Sequence, residues 1–219
     1  MPIKAVLFDL DGTVLDTEKL LVRYWCQAAN EAGFPMRREH ALELRSLSYV
    51  YAEPLLKQWF GEECSYWKLR ERRMELIAAD IAENGIEVKA GIPELLRYLG
   101  KVGYRRAVVT ATLMERAREY LKAVKLCGEF DDLISAHMVK QGKPKPDVYL
   151  YAAERLGLSP AECIAVEDSP NGVRSASAAG CKTVMIPDLT EPEEELLPLL
   201  FAKCDTPVML MKMLKEETI

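Results

Sequence analysis

The sequence predicts an α/β protein: a doubly wound parallel sheet with a smaller helical domain inserted after the first strand. Three observations predict it. Short apolar runs recur and each stops at a polar residue, as in Ala5-Val6-Leu7-Phe8 before Asp9. Helical stretches separate these runs. One long segment, 17–88, breaks the alternation with helical patterns and no strand. A short continuous apolar run is the mark of a strand buried on both faces. Strand alternating with helix is the mark of a parallel sheet.

The elements follow in order. Ala5-Val6-Leu7-Phe8 is the first strand. Segment 17–88 is rich in Leu, Ala, Glu and Arg, and Gly33, Pro35, Pro54 and Gly61 divide it into several helices. The chain re-enters the core near Ala90-Gly91-Ile92-Pro93. The core is therefore discontinuous, 1–16 plus 89–219, and the helical insert is 17–88. Ala107-Val108-Val109 ends at Thr110, Ile164-Ala165-Val166 ends at Glu167-Asp168, and Thr183-Val184-Met185-Ile186 ends at Pro187. Helices are expected over 114–124, 147–156 and 172–179. The acidic 191–195 stretch reads as a solvated turn and helix start.

Composition narrows the function. The 219 residues suit one sizeable domain or a core plus an insert. A formal net charge of -5 favours neither nucleic acid nor an anionic membrane. A small anionic substrate must then be held by local donors. The opening MPIKAVLFDLDG lacks the pattern of a secretory signal. The apolar stretch 196–202 contains Pro198 and is too short to span a bilayer. Six cysteines form no C-x-x-C pair, so reduced thiols and a cytoplasmic location are expected. With two histidines and no ligand spacing, zinc is not expected. A monomer is the default.

In parallel sheets the polar residues just past the strand ends converge on one crevice. Here they are Asp9, Asp11, Thr110, Glu167 and Asp168, joined by Lys143 from the loop Gly142-Lys143-Pro144-Lys145-Pro146-Asp147. Carboxylates crowded at one edge repel unless a cation sits among them. A hard divalent ion with oxygen ligands answers this, and Mg²⁺ is the usual choice beside a phosphate. A carboxylate attacks a phosphate only when charge is neutralised and the approach aligned. A second carboxyl two residues on can serve as acid and base. Gly12 permits the tight turn that brings Asp11 back.

These residues carry a resemblance. Asp9-Leu10-Asp11-Gly12-Thr13-Val14 matches a DxDGT signature. Val108-Val109-Thr110 matches an apolar run ending in Ser or Thr. The Lys143 loop matches KPxPD, and Glu167-Asp168-Ser169-Pro170-Asn171-Gly172 matches EDSxxG. In this order they resemble the haloacid dehalogenase superfamily, in the branch of β-phosphoglucomutase-like phosphatases with a helical cap. The resemblance implies roles. Asp9 is the nucleophile and a Mg²⁺ ligand. Asp11 is the general acid and then base, and lends its carbonyl to the metal. Thr110, the Ala111 N–H and Lys143 bind phosphoryl oxygens. Glu167 and Asp168 complete the metal shell.

The expected activity is hydrolysis of a small phosphorylated metabolite such as a sugar phosphate. A phosphosugar mutase is the rival. The mutases carry a His after the first motif where this chain has Leu20 or Leu21, and the 44–49 cap loop lacks their Gly and Arg, with Arg45 nearby. A dehalogenase has no use for a Mg²⁺ cluster or for Asp11. A non-catalytic binding protein would show a broken nucleophile or metal set. In the cap, Arg70, Arg72 and Arg73 read first as a solvated face paired with Glu71 and Glu75. The alternative is that Arg72 or Arg73 grips substrate; counting back from Gly91 places Arg72 near where the caps of the β-phosphoglucomutase-like branch carry a substrate-binding Lys, and Arg45 is a second candidate. Trp25, Trp59 and Trp67 read as cap core, and His40 and His137 match no motif.

Overall fold

A computed structural model describes residues 2–216. Its sheet has strands β1 (Ala5–Phe8), β2 (Arg105–Thr110), β3 (Asp132–Ser135), β4 (Cys163–Glu167), β5 (Lys182–Met185) and β6 (Ala202–Lys203). They lie side by side in the order β3-β2-β1-β4-β5-β6, every pair parallel. The order reverses between β1 and β4, which opens a crevice past their C-terminal ends. Phe8 pairs with both Val108 and Val166, so Asp9 emerges level with the ends of β2 and β4.

Alternation along β1 divides the core. Val6 and Phe8 face one layer, with Leu95, Leu99, Val108 and Leu210. Ala5 and Leu7 face the other, with Val109, Val148, Ala152 and Ala165. Successive strand side chains point to opposite faces, so both faces must be covered by helices. On the first side lie α5 (Ile92–Val102), α6 (Met114–Ala123) and α9 (Pro207–Lys215). On the second lie α7 (Asp147–Arg155) and α8 (Pro170–Ala178).

The sequence reading missed β3, β6, α5 and α9. β3 opens with Asp132 and holds only four residues, and β6 holds two. Neither supplies a readable apolar run. α5 has a clean stripe at Ile92, Leu95, Leu96 and Leu99, all buried.

Segment 17–88 contributes α1 (Glu18–Glu31), α2 (Arg38–Glu43), α3 (Tyr49–Phe60) and α4 (Tyr66–Asn84). Val22, Trp25, Ala29, Leu56 and Leu69 form a separate apolar cluster there. Gly33 and Gly61 take positive φ between helices, as the pattern expects. Pro54 is a correction: it lies inside α3 and does not divide it. Ala52 and Leu56 on either side are buried in the cap cluster, and that burial outweighs the one hydrogen bond the ring removes. The linkers run side by side, with Asp16 N–H donating to Glu87 O at 2.9 Å and Lys89 N–H to Val14 O at 3.0 Å. Among the described residues no helix is long and apolar enough to cross a membrane.

Candidate active site

Asp9 follows β1 directly and is buried, its N–H bonded to Val166 O at 2.9 Å. Gly12 turns the chain at φ 87°, with its N–H donating to Leu15 O at 2.7 Å. A Cβ there would stand 2.5 Å from Asp168 Oδ2, so both the φ and the close approach require glycine. The turn returns Asp11 to the crevice. Its two oxygens accept from Thr17 Oγ1 at 2.6 Å and Thr112 Oγ1 at 2.7 Å.

Glu167 and Asp168 end β4 and are fully buried. Gly172 on α8 makes room for Glu167: a Cβ there would lie 1.9 Å from Glu167 Oε2. Lys143, also fully buried, places Nζ 2.5 Å from Asp9 Oδ1, 2.6 Å from Glu167 Oε1 and 3.0 Å from Val109 O. Tyr149 donates to Glu167 Oε1 at 2.5 Å. Thr13 Oγ1 donates to Asp168 Oδ1 at 3.3 Å.

The opposite oxygens are left over. Asp9 Oδ2, Glu167 Oε2 and Asp168 Oδ2 are buried and accept no hydrogen bond. Asp9, Glu167 and Asp168 each offer a ligand atom within 4.8 Å of the others. Buried acceptors without donors are costly. All-oxygen donors of this kind fit a hard divalent cation. The Asp11 carboxylate lies outside this trio, occupied by the two threonines.

Burial, with Glu167 and Asp168 close by, pushes the Asp9 carboxyl well above the usual range, against the pull of Lys143. Burial and Glu167 push Asp168 up to about 7, with Arg45 opposing. Burial pulls Lys143 down, but Asp9 and Glu167 outweigh it and its pKa is raised. These shifts describe carboxylates held together more closely than one ammonium can offset.

A cavity of about 70 Å³ lies between this floor and the cap. Asp9, Asp11 and residues 110–113 line it from the core; Glu18, Leu21, Arg45, Arg70 and Arg73 line it from the cap side. Thr110 is buried, and its Oγ1 accepts the Thr112 N–H at 3.0 Å. Arg45 is buried, with Nη1 3.8 Å from Asp168 Oδ2 and Nη2 bonded to the Thr190 hydroxyl.

The family model for haloacid dehalogenase-like hydrolases matches residues 6–186. The chain belongs to that family. It is similar to hexitol phosphatase A of Escherichia coli, at 36% identity over 85% of this chain and 84% of that protein. Its fold matches CbbY from Rhodobacter sphaeroides in complex with phosphate, at TM-score 0.79 and 28% identity over 95% of this chain and 96% of the other. A mutant of that CbbY in complex with xylulose-(1,5)bisphosphate gives TM-score 0.80 and 27% identity, over 95% and 96%.

For a hydrolase of this family the cap arginines fall differently from the count made on sequence. Arg72 is exposed and bonded to Glu31 at 2.6 Å and Glu75 at 2.8 Å, away from the cavity. Its neighbour Arg73 turns inward on the stripe Tyr66, Leu69, Arg73, Ile77 and stacks 4.1 Å over the Trp25 ring. One helical position is about 100° of rotation, so a shift of one residue exchanges cleft for solvent. Burial lowers the Arg73 pKa to about 10, and its Nε has no partner. Trp25 is cap core, whereas Trp67 is exposed. His40 packs on Trp59 and Phe60, and exposed His137 stacks on Tyr49.

Sequence reasoning also passed over Glu18, Thr112, Tyr149 and Asn171. Burial, Asp168 and Asp11 raise the Glu18 carboxyl well above its usual range. Glu18 directly follows Asp16-Thr17, a sequence position that was readable. Thr112, Tyr149 and Asn171 carry no composition signal and depend on where the backbone turns.

Proposed function

We propose that this chain is a Mg²⁺-dependent phosphatase that cleaves a small sugar or polyol phosphomonoester through an aspartyl-phosphate on Asp9. The observation that carries this reading is the set of unpartnered oxygens that Asp9, Glu167 and Asp168 bring together, with Asp9 opening into a cavity that Arg45, Arg70 and Arg73 line from the cap side. Those residues would hold the ion, which offsets their charge and that of the phosphoryl group.

The protein's own groups do the rest. Lys143 keeps Asp9 oriented and neutralises charge from beneath. Thr110 and the Ala111 N–H receive phosphoryl oxygens. Asp9 forms a bond to phosphorus as the ester oxygen departs, and that oxygen takes a proton from Asp11. Water then attacks phosphorus, gives its proton to Asp11, and the Asp9–phosphorus bond breaks. Thr17 and Thr112 fix the plane of Asp11 for both transfers. Arg45 and Arg73 suit an anionic substrate, and the Glu18 carboxylate suits a sugar hydroxyl. The names of the hexitol phosphatase and of the xylulose bisphosphate complex support that substrate class.

The mutase reading lacks an imidazole: Leu21 lines the cavity where the resemblance expects a mutase His. A panel of hexitol, hexose and pentulose phosphates with Mg²⁺ tests the proposal. Free phosphate without isomer is expected. β-Glucose 1-phosphate converted to glucose 6-phosphate would establish the mutase. No turnover, with ligand binding retained, would establish a binding protein.

A further inference from the structure

We propose that Asn171 is a positioning residue that clamps the cap loop 43–48 onto the two catalytic loops and thereby seats Arg45 beside Asp168. This rests on the hydrolase reading given above.

Helix α2 ends at Glu43, and Ser46 takes a φ of 53°, so the loop after it turns sharply. The last carbonyls of a helix have no donor within it. Here the donor comes from across the cleft. Asn171 Nδ2 donates to Glu43 O at 3.1 Å and to Arg45 O at 2.9 Å. Both amide hydrogens of one side chain are thus spent on cap carbonyls. Asn171 stands in the first turn of α8, three residues after Asp168, and Ser169 caps that turn by accepting the Gly172 N–H at 3.2 Å. The clamp is therefore anchored to the segment that carries Asp168.

A second tie joins the same cap loop to the other catalytic loop. Ser48 N–H donates to Lys143 O at 2.9 Å. The surfaces meet closely here: a Cβ on Gly142 would lie 3.0 Å from Ser48 Cβ. Residues 43–48 are thereby bonded to the backbone of Lys143 and, through Asn171, to the neighbourhood of Asp168. Arg45 lies between these ties. Its carbonyl is held by Asn171, and its guanidinium reaches Thr190 and faces Asp168. Release of the carbonyl frees the Arg45 main chain and, with it, the cation that opposes Asp168.

The chemistry requires an amide. An aspartate at 171 has the same shape but offers acceptors to two carbonyl oxygens. The test uses Asn171→Ala and Asn171→Asp in the full chain with Mg²⁺. Hydrogen exchange of 43–48 is read directly, and kcat and KM are measured with a sugar phosphate and with p-nitrophenyl phosphate. Both variants should exchange faster across 43–48. Both should lose roughly 10- to 100-fold in kcat/KM on the sugar phosphate, the effect of two hydrogen bonds. The loss on p-nitrophenyl phosphate, which asks less of the cap, should stay within about threefold. If Asn171 only filled space, Asn171→Asp would match the parent, and that result overturns the proposal. Unchanged exchange across 43–48 also overturns it, whether or not the chain proves to be a phosphatase. If Asn171→Ala fails to fold, Asn171→Ser carries the same two readouts.

Discussion

Lys143 Nζ stands between Asp9 Oδ1 and Glu167 Oε1, at 2.5 and 2.6 Å. One buried ammonium thus compensates two buried carboxylates, while their other oxygens, Asp9 Oδ2 and Glu167 Oε2, accept no hydrogen bond. Lys143→Met removes that charge at similar volume. Breaking a buried pair from one side costs about 3–5 kcal/mol, because the orphaned charge stays inside. Denaturation without metal should show that loss, and Mg²⁺ should restore part of it. Equal stability of variant and parent in EDTA would mean that the carboxylates take up protons at no cost.

Asp9 and Asp11 sit two residues apart but in different surroundings, so their amide variants should differ in kind. Asp9→Asn should give no phosphoenzyme, since an amide does not attack phosphorus. Asp11→Asn keeps the shape that Thr17 and Thr112 hold. It should slow both steps by roughly 10²–10⁴-fold, the range for a well-placed acid and base. Rapid-quench labelling separates the two. Labelling of Asp9→Asn at the parent's level would remove Asp9 from the role of nucleophile.

The buried carboxyls of Asp9, Glu18 and Asp168 should also govern stability against pH. Asp168 is pushed up to about 7, above its ordinary value, as Asp9 and Glu18 are raised. A carboxyl with a raised folded pKa contributes stability that is full below its unfolded pKa and lost as pH rises through the folded one. Metal-free protein should therefore lose thermal stability between about pH 5 and 8. Asp168→Asn isolates this effect and should flatten the metal-free slope. In the parent, Mg²⁺ should raise Tm more at pH 8 than at pH 5, because protons compete for the same oxygens.

The strand ends were the legible part of this chain. Asp9, Thr110 and Glu167-Asp168 each follow an apolar run, and a parallel sheet leaves such residues at one edge. The structure places Asp9, Glu167 and Asp168 together, with Lys143 among them. β3 and β6 were not legible, because four residues opening with Asp132, and two residues in all, form no pattern against the surrounding chain. Tyr149 and Asn171 were not legible for a different reason. Their importance lies in partners 18 to 128 positions away, Glu167 for Tyr149 and Glu43 for Asn171, and no local spacing encodes that.

The cap arginines give the sharpest contrast between neighbours. Counting along the sequence offered Arg72 as the substrate-facing alternative to a solvated face, whereas the helical register puts Arg73 there. Arg72 is exposed and already bonded to Glu31 and Glu75. Arg73 is half-buried over Trp25, with Nε unpaired and its pKa lowered to about 10 by burial. A cation held there without a carboxylate partner gains most when an anion enters the cavity. Arg73→Ala should therefore raise KM for a sugar phosphate by roughly 10- to 100-fold, the worth of a hydrogen bond to a charged group. It should raise KM for p-nitrophenyl phosphate less, since that substrate extends less far toward α4. Arg72→Ala should leave both KM values as in the parent. A larger effect from Arg72→Ala than from Arg73→Ala would show that α4 turns by about one residue when substrate binds, exchanging which arginine meets it.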